Sequence, residues 1–308
     1  MNEQKHSLSL GIIERNTVNM CETPAFPKKM KLEVTNLCNH KCIFCVQNRL
    51  NEPRGIIDRK FSEHILNSAY SFGVREVGFF IHGEPFCCPD LAWHISIAKQ
   101  IGYEYVYLTT NGVLATPDKI REVVDAGLDS IKFSINAGSP ESYLFIHGKD
   151  DFSQTLSNLK YAASYRKDAN LPYKIYLSSI ITSRIQNEIE TIRMVFGKYV
   201  DDLTFLKARG CGGLMLENNS LIGGFTSVNE CSVLFNTIHI NYDGTLFACD
   251  NDANNSFQIA NLLETDLFEA WYGAKMLELR KGIMNGNLNK KCEACLACGG
   301  SFVHIVKH

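Results

Sequence analysis

Strand-like and helix-like segments alternate along residues 30–207, and this alternation constrains the fold more than any other feature of the chain. Runs of β-branched and aromatic residues predict six strands, at Lys31–Thr35, Val74–Ile81, Tyr103–Thr109, Ser130–Ile135, Tyr173–Ile181 and Asp202–Lys207. The intervals suit right-handed crossovers between parallel strands. Because six units are too few to close an eight-stranded barrel, we expect an α/β fold, a partial (β/α)6 TIM-like barrel whose active site lies at the strand carboxyl ends.

The segments between these strands have helical character. Apolar periodicity predicts helices at Leu91–Ile101, Pro117–Ala126, Phe152–Tyr165 and Glu188–Phe196. Thr116 is a candidate N-cap, because it precedes a proline in the first helical turn. Residues 1–29 lack clear periodicity and contain Pro24 and Pro27. We therefore interpret residues 1–29 as a lead-in and residues 30–210 as the barrel.

The character of the chain changes after residue 207. Glycines are frequent in residues 210–224, and two β runs follow, joined by the turn Tyr242-Asp243-Gly244. An Asp-Gly pair between two β runs is a strong signal for a hairpin. Helical periodicity returns at Thr265–Arg280. We assign residues 211–308 to a linker and a small C-terminal domain.

The composition excludes several classes of protein. The 308 residues are 45% hydrophobic and 21% charged, with a formal net charge of −2, which gives no electrostatic argument for a nucleic-acid or membrane-surface partner. No apolar run reaches the length of a membrane span, and the first residues do not resemble a signal peptide. We therefore expect a cytoplasmic protein whose twelve cysteines are reduced and available to bind metal.

Three cysteines, Cys38, Cys42 and Cys45, follow the first predicted strand with the spacing C-x3-C-x2-C. They supply three thiolates where a [4Fe–4S] cluster needs four ligands, so one iron would keep an open position for a substrate or cofactor. A zinc knuckle or a disulfide pair is the structural alternative, although zinc sites usually combine two paired half-sites.

A second group of cysteines occupies the last quarter of the chain. Its members are Cys231, Cys249, Cys292, Cys295 and Cys298. The first two flank the predicted hairpin, and the other three crowd one short segment. Four of them suffice for a fully ligated iron–sulfur cluster, which would serve electron transfer, or for a structural zinc site.

The first cysteine run resembles the signature of the radical SAM superfamily, including the aromatic residue before the third cysteine, Phe44. The resemblance implies that Cys38, Cys42 and Cys45 bind a [4Fe–4S] cluster whose open iron binds S-adenosylmethionine (SAM). It also implies cleavage of SAM to methionine and a 5′-deoxyadenosyl radical, which abstracts a hydrogen atom from the substrate. An external reductant such as flavodoxin or ferredoxin would supply the electron.

The C-terminal segment resembles the SPASM/Twitch extension of the same superfamily. The matching residues are Cys231-x12-Gly-x4-Cys249, Ile259-Ala-Asn-Leu262, Glu269-Ala-Trp271, Leu279-Arg280 and Cys292-x2-Cys295. The short Twitch version implies one auxiliary [4Fe–4S] cluster on Cys231, Cys249, Cys292 and Cys295. Cys298 would be an alternative ligand or a bystander.

Other residues resemble the SAM pocket of the superfamily. The run His82-Gly83-Glu84-Pro85 is similar to Gly-Gly-Glu-Pro, with a histidine in place of the first glycine. It implies that Glu84 and nearby carbonyl groups receive the SAM ammonium group. Polar residues at or after the ends of later strands are further implied SAM contacts, namely Asn111, Ser134, Asn136 and His147. The alternative for each is a loop cap or a structural side chain.

Three reactions are open to a substrate radical formed in this way. We favour oxidation of a small polyhydroxylated substrate, such as a sugar or aminocyclitol, because an auxiliary cluster can accept an electron. Epimerisation needs a thiol hydrogen donor, for which Cys211 is the candidate and Cys87 and Cys88 are rivals, although an unpaired cysteine is often a small buried hydrophobe. Radical modification of a ribosomal peptide is the third reaction. An iron–sulfur electron carrier and a zinc-stapled binding module are the alternatives that are not enzymes.

Overall fold

Six parallel strands pair side by side and are connected by helices. The computed structural model describes residues 20–49, 52–207, 231–250, 252, 257–297 and 304–306. The strands are β1 (Lys29–Leu32), β2 (Glu76–Gly78), β3 (Tyr105–Thr110), β4 (Ser130–Ser134), β5 (Lys174–Ile181) and β6 (Asp202–Lys207). Their order in the sheet follows their order in the chain, and every neighbouring pair is parallel. All six carboxyl ends therefore lie on one rim, as in a TIM-like barrel.

The connecting helices cover one face of this sheet. They are α1 (Arg59–Ser71), α2 (Leu91–Ile101), α3 (Pro117–Asp125), α4 (Pro140–His147), α5 (Phe152–Asp168) and α6 (Ile189–Phe196). Alternate strand residues form the hydrophobic core, among them Met30, Leu32, Val77, Val106, Leu108, Ile131, Phe133, Ile175, Leu177 and Phe205. Because successive side chains on a strand face opposite sides, the remaining strand residues face the barrel interior. Among the described helices, none has both the length and the apolar character needed to cross a bilayer.

The α/β fold class and the partial barrel are confirmed. All six predicted strands and the four predicted barrel helices are present, with ends that differ by at most three residues. Thr116 occupies the N-cap position of α3, but its side chain makes no capping hydrogen bond. Helices α1 and α4 were not predicted. A signal for α4 exists, since Ser139 caps its first turn and Pro140 occupies the first helical position.

The C-terminal segment extends the barrel sheet. Strand β7 (Thr237–Ile240) pairs in parallel with β1, so that Lys31 lies opposite His239. Strands β8 (Thr245–Phe247) and β9 (Gln258–Asn261) continue it in antiparallel pairs, while β10 (His304–Val306) pairs with β6 at the other end. The predicted hairpin is present between β7 and β8, but its pairing with β1 was not predicted.

Within the described residues, four helices accompany these strands. They are α7 (Val233–Asn236), α8 (Leu267–Tyr272), α9 (Ala274–Asn285) and α10 (Lys290–Ala297). The single helical segment predicted at Thr265–Arg280 is therefore divided into α8 and α9, with Gly273 between them.

The amino-terminal lead-in packs against the C-terminal helices. The ring of Phe26 contacts that of Trp271, with centroids 6.0 Å apart. Arg280 is fully buried and donates hydrogen bonds to the carbonyl oxygens of Leu234 (3.1 Å), Trp271 (3.0 Å) and Glu22 (3.4 Å). This arginine therefore joins the lead-in to the C-terminal domain, a contact that the sequence did not predict.

Candidate active site

The first cysteine run lies on a loop that leaves the carboxyl end of β1. An antiparallel bridge between Thr35 and Ile56 closes the base of this loop. The Thr35 hydroxyl donates to the carbonyl of Gly55 (2.7 Å), and the Asn36 amide donates to the carbonyl of Pro53 (2.8 Å). Asn36 Oδ1 also accepts the N–H of Gly55 (2.9 Å). Since both ends of the loop are fixed, the three cysteines have a defined position at the mouth of the barrel.

The thiols of this run are close enough for their charges to interact. Burial raises the pKa of Cys38 to about 12, and it raises the pKa of Cys42 well above that of a free thiol. The charges of neighbouring thiols, including Cys45, and of Glu84 add to both shifts. Phe44 packs, partly buried, against the hydrophobic core. Thiolates that lie close together and partly buried need cations to neutralise their charge. These soft sulfur donors therefore fit an iron–sulfur cluster, which Cys38, Cys42 and Cys45 would hold.

The turn after β2 packs directly on the cysteine loop. The backbone N–H of Glu84 donates to the carbonyl of Leu37 (2.8 Å). A Cβ atom on Gly83 would lie only 2.0 Å from the carbonyl oxygen of Thr35. Only glycine therefore allows the turn and the loop to approach this closely, and the approach places Glu84 beside the cysteines.

The Glu84 carboxylate connects this turn to the end of β3. It is 2% exposed and accepts hydrogen bonds from the Thr110 hydroxyl (2.6 Å), the Asn111 N–H (2.7 Å) and the Phe86 N–H (3.2 Å). Burial raises the pKa of Glu84 to about 7, and the three hydrogen bonds oppose that shift. Because a carboxylate has about four acceptor positions, one remains unused by these bonds, and a contact between Glu84 and the SAM ammonium group stays a prediction.

Asn111 connects β3 to the cysteine loop. Its Nδ2 donates to Asn39 Oδ1 (2.7 Å) and lies 4.0 Å from Cys38 Sγ, and its Oδ1 accepts the N–H of Val113 (3.1 Å). The side chain therefore orients the loop, and a direct contact between Asn111 and SAM stays a prediction.

Ser134, Asn136 and His147 are brought together at the end of β4. The Asn136 amide nitrogen lies 3.4 Å from Ser134 Oγ, and its Oδ1 accepts the N–H of Ile180 (2.7 Å). Asn136 and His147 are each 1% exposed, whereas Ser134 is half-buried. Ser134 is therefore the most accessible of the three to a ligand.

His147 lies against the cysteine loop. Its Nδ1 is 3.3 Å from Cys42 Sγ, and its Nε2 accepts the backbone N–H of Asn136 (3.3 Å). Burial lowers the pKa of His147 to about 3, with a smaller contribution from His40, so the ring is neutral. Both ring nitrogens face protein groups, and the contact between His147 and SAM that the resemblance implies stays a prediction.

The barrel interior is polar and aromatic. The Nζ atoms of Lys31 and Lys132 lie 5.5 Å and 5.7 Å from the centre of the Phe80 ring. Phe80 also packs edge-on against Tyr107, with centroids 5.7 Å apart. Lys31 forms an ion pair with Asp250 (2.6 Å), which belongs to the C-terminal domain. The interior is therefore lined by residues of both domains.

His82, which replaces the first glycine of Gly-Gly-Glu-Pro, lies next to Glu33. Glu33 Oε1 accepts the His82 backbone N–H (2.9 Å) and is 3.5 Å from its Nδ1. His82 Nε2 is buried and has no hydrogen-bond partner within the part of the chain that the structure describes. Burial alone would lower the pKa of His82, but Glu33, Asp250 and Glu52 together outweigh it, so the pKa is raised. Glu33, Glu52 and His82 border a cavity of about 130 Å³.

Two of the C-terminal cysteines, Cys231 and Cys292, lie next to each other. Burial raises the pKa of Cys292, and the charge of Cys231 adds to the shift, so these two thiols are neighbours. Cys292 and Cys295 stand one turn apart in α10, and Cys249 follows β8. Cys298 lies outside the described residues. The proximity of Cys231 and Cys292 fits an auxiliary iron–sulfur cluster, and the full set of its ligands stays a prediction.

The cysteines proposed as hydrogen donors occupy different surroundings. Cys211 lies outside the described residues. Cys88 is 3% exposed in the hydrophobic core, where it is a small buried side chain. Cys87 lies near the cysteine loop, because its sulfur accepts the N–H of Asn39 and its charge interacts with Cys38. A fourth thiol next to the first cysteine run was not predicted from the spacing.

Family models match two parts of the chain. A model described as the radical SAM superfamily matches residues 32–180. A second model, SPASM, described as an iron–sulfur cluster-binding domain, matches residues 231–299. The first range contains the run Cys38–Cys45 and Glu84, and the second contains all five C-terminal cysteines.

Curated relatives match the chain over part of their length. An uncharacterized protein of Methanocaldococcus jannaschii is 30% identical over 173 residues, which are 56% of this chain and 54% of that protein. A probable GTP 3′,8-cyclase of Saccharolobus solfataricus is 31% identical over 133 residues, which are 43% of this chain and 42% of that protein. The chain thus spans about half the length of these relatives.

Several solved structures share the fold. SuiB of Streptococcus suis, bound to precursor peptide SuiA, has a TM-score of 0.69 at 16% identity, covering 90% of this chain and 72% of SuiB. BtrN in complex with AdoMet and 2-DOIA has a TM-score of 0.62 at 17% identity, covering 90% of this chain and 93% of BtrN. The enzyme anSMEcpe, with AdoMet and a peptide, has a TM-score of 0.64 at 15% identity, covering 88% of both chains. At these identities the similarity shows the fold alone.

Proposed function

Because the chain belongs to the radical SAM superfamily and carries a SPASM domain, we propose that it oxidises a small polyhydroxylated substrate within the barrel. The observation that carries this proposal is the lining of the interior by Lys31, Asp250, Tyr107 and Lys132, with His82 close enough to Asp250 for their charges to interact. Hydrogen-bonding and charged groups in a pocket favour a substrate that can satisfy them, because burying them against an apolar compound is unfavourable.

The cofactors supply the radical chemistry, and the protein positions them. Cys38, Cys42 and Cys45 would hold the cluster that supplies, when bound, the electron for SAM cleavage and so for hydrogen abstraction from a substrate carbon. The C-terminal cysteines would hold the cluster that accepts the electron released on ketone formation. Gly83 and Asn111 hold the cysteine loop against the turns after β2 and β3. The remaining acceptor position of Glu84 is available to the SAM ammonium group.

Ketone formation also releases the hydroxyl proton of the substrate, and His82 is placed to accept it. Glu33 lies beside Nδ1, and Nε2 has no hydrogen-bond partner among the described residues, so we assign Nε2 as the nitrogen that accepts the proton. The neighbouring carboxylates raise the pKa of His82, which stabilises the imidazolium that forms when the ring accepts this proton. Asp250 is a second candidate, but its carboxylate is already paired with Lys31. Lys31 and Lys132 are potential hydrogen-bond donors to substrate hydroxyls.

The test combines anaerobically reconstituted protein, dithionite and SAM with deuterated cyclitols, sugar alcohols and aminocyclitols. Oxidation predicts one ketone for each 5′-deoxyadenosine and transfer of deuterium from the substrate carbon into 5′-deoxyadenosine. GTP and short peptides serve as comparison substrates. Turnover of those compounds alone, with no reaction of the hydroxylated set, would refute the proposal.

Epimerisation gives a different isotopic result. It returns a hydrogen atom to the opposite face of the substrate carbon, so solvent deuterium would appear at an inverted centre and no ketone would form. Loss of that signal in Cys211→Ala would identify the thiol donor. For oxidation, His82→Gln should retain deuterium transfer into 5′-deoxyadenosine while lowering the yield of ketone, because the proton acceptor is absent.

A further inference from the structure

The backbone on both sides of Cys42 is attached to the end of α4. The N–H of Lys41 donates to the carbonyl of His147 (3.2 Å), and the N–H of Ile43 donates to the carbonyl of Ile146 (2.9 Å). These two bonds fix the cysteine loop relative to the last residues of the helix. The separation of 3.3 Å between Cys42 Sγ and His147 Nδ1 therefore follows from backbone packing as well as from side-chain rotamers.

The hydrogen bonds of His147 determine which nitrogen carries its proton. Nε2 accepts the backbone N–H of Asn136 (3.3 Å), so it needs a free lone pair. The proton of the neutral ring is then on Nδ1, which faces Cys42 Sγ. Stacking on Tyr143, with centroids 4.1 Å apart and planes 20° apart, holds the ring in this orientation.

We infer that His147 is a positioning residue that donates an Nδ1–H hydrogen bond to the sulfur of Cys42 and thereby raises the reduction potential of the cluster that Cys42 would ligate. A hydrogen bond to a ligating sulfur stabilises the reduced cluster more than the oxidised one, because the reduced cluster carries one more negative charge. The effect makes the cluster easier to reduce. The inference depends on Cys42 being a cluster ligand and is independent of the substrate.

Binding of a metal ion between His40, Cys42 and His147 is the alternative to this hydrogen bond. His40, Cys42 and His147 offer one donor atom each, and these atoms lie within 4.8 Å of one another. A neutral imidazole pair with a thiolate is a donor set that zinc accepts. Cys42, however, belongs to a run that supplies two further thiolates, and iron–sulfur ligation by all three uses its sulfur as a ligand.

The test measures the midpoint potential of the reconstituted cluster by anaerobic redox titration and electron paramagnetic resonance. The signal that changes when SAM is added identifies the cluster with the open iron. His147→Leu removes the donor, and His147→Asn retains an amide N–H near the position of Nδ1. His94→Leu is the matched control, since His94 is also fully buried but lies between α1 and α2, with Ser62 as its partner.

We expect a more negative midpoint potential in His147→Leu, a value closer to the wild type in His147→Asn, and no change in His94→Leu, with equal iron contents. An unchanged potential in His147→Leu at full iron content would overturn the inference. So would a potential in His147→Asn as negative as that of His147→Leu.

A second measurement needs no destabilising variant. In wild-type protein labelled with ¹⁵N-histidine, pulsed electron paramagnetic resonance of the reduced cluster should detect a weakly coupled histidine nitrogen, and His147→Asn should lose this coupling. Absence of the coupling in the wild type would contradict the inference even if His147→Leu fails to fold. Stoichiometric zinc that is lost on His40→Leu would assign the three donors to a metal ion instead.

Discussion

Replacing Gly83 with alanine tests whether the turn after β2 and the cysteine loop pack as closely as the structure shows. The added Cβ would lie 2.0 Å from the Thr35 carbonyl oxygen, whereas contacts under 3.0 Å do not occur in practice. The two backbone segments must therefore separate by about 1 Å, since neither atom belongs to a flexible side chain. That displacement stretches the bond from the Glu84 N–H to the Leu37 carbonyl, now 2.8 Å, beyond hydrogen-bond distance.

The expected cost is about 3 kcal/mol, of which roughly 2 kcal/mol is overpacking and about 1 kcal/mol is the lost hydrogen bond. Urea or thermal denaturation of anaerobic protein measures it, and a melting temperature lower by roughly 5 °C or more is expected. Gly197→Ala is the matched control, because a Cβ there meets nothing within 4 Å. That change should be neutral or stabilising by about 0.5 kcal/mol. Equal stabilities of Gly83→Ala and Gly197→Ala would refute the packing argument.

Three further predictions concern other parts of the molecule. Burial lowers the pKa of His94 to about 4 from 6.5, so the unfolded chain binds a proton that the folded one does not. Stability should then fall by about 3 kcal/mol as pH drops from 6.5 to 4, and denaturation of His94→Gln should show a flatter pH profile. Arg280→Met leaves three carbonyls, two of them buried, without their donor and should lower the free energy of unfolding by about 3 kcal/mol, whereas unchanged urea midpoints would contradict its bridging role. Replacing all three cysteines of the first run with alanine should lower bound iron from about eight to about four per chain and abolish SAM cleavage. Cys87→Ala should preserve both the iron content and SAM cleavage. Iron assays and analysis of the SAM cleavage products measure the two effects.

Features that are set by residues close together in the chain could be predicted from the sequence. Strand and helix periodicity, the hairpin turn at Gly244 and the spacing of the cysteines are all local patterns, and the fold class followed from them. The bounds of the six barrel strands and of the four predicted barrel helices were recovered to within three residues, because the hydrophobic pattern that defines them is itself short-range. The pair Gly83-Glu84 was also identified from the sequence, but the close approach of the Thr35 carbonyl that requires a glycine at position 83 was not.

The site itself depends on contacts between distant residues. His147 lies 105 positions from Cys42, and Lys31 lies 219 positions from Asp250, so no local pattern reveals either pair. Which polar side chains meet is decided by the packing of helices on the sheet and by the pairing of β7 with β1, both of which involve the whole chain. The sequence by itself determined the cysteine motifs and the succession of the six barrel strands. Only the tertiary structure decided which groups surround those motifs, because burial and hydrogen bonding across the rim depend on long-range packing.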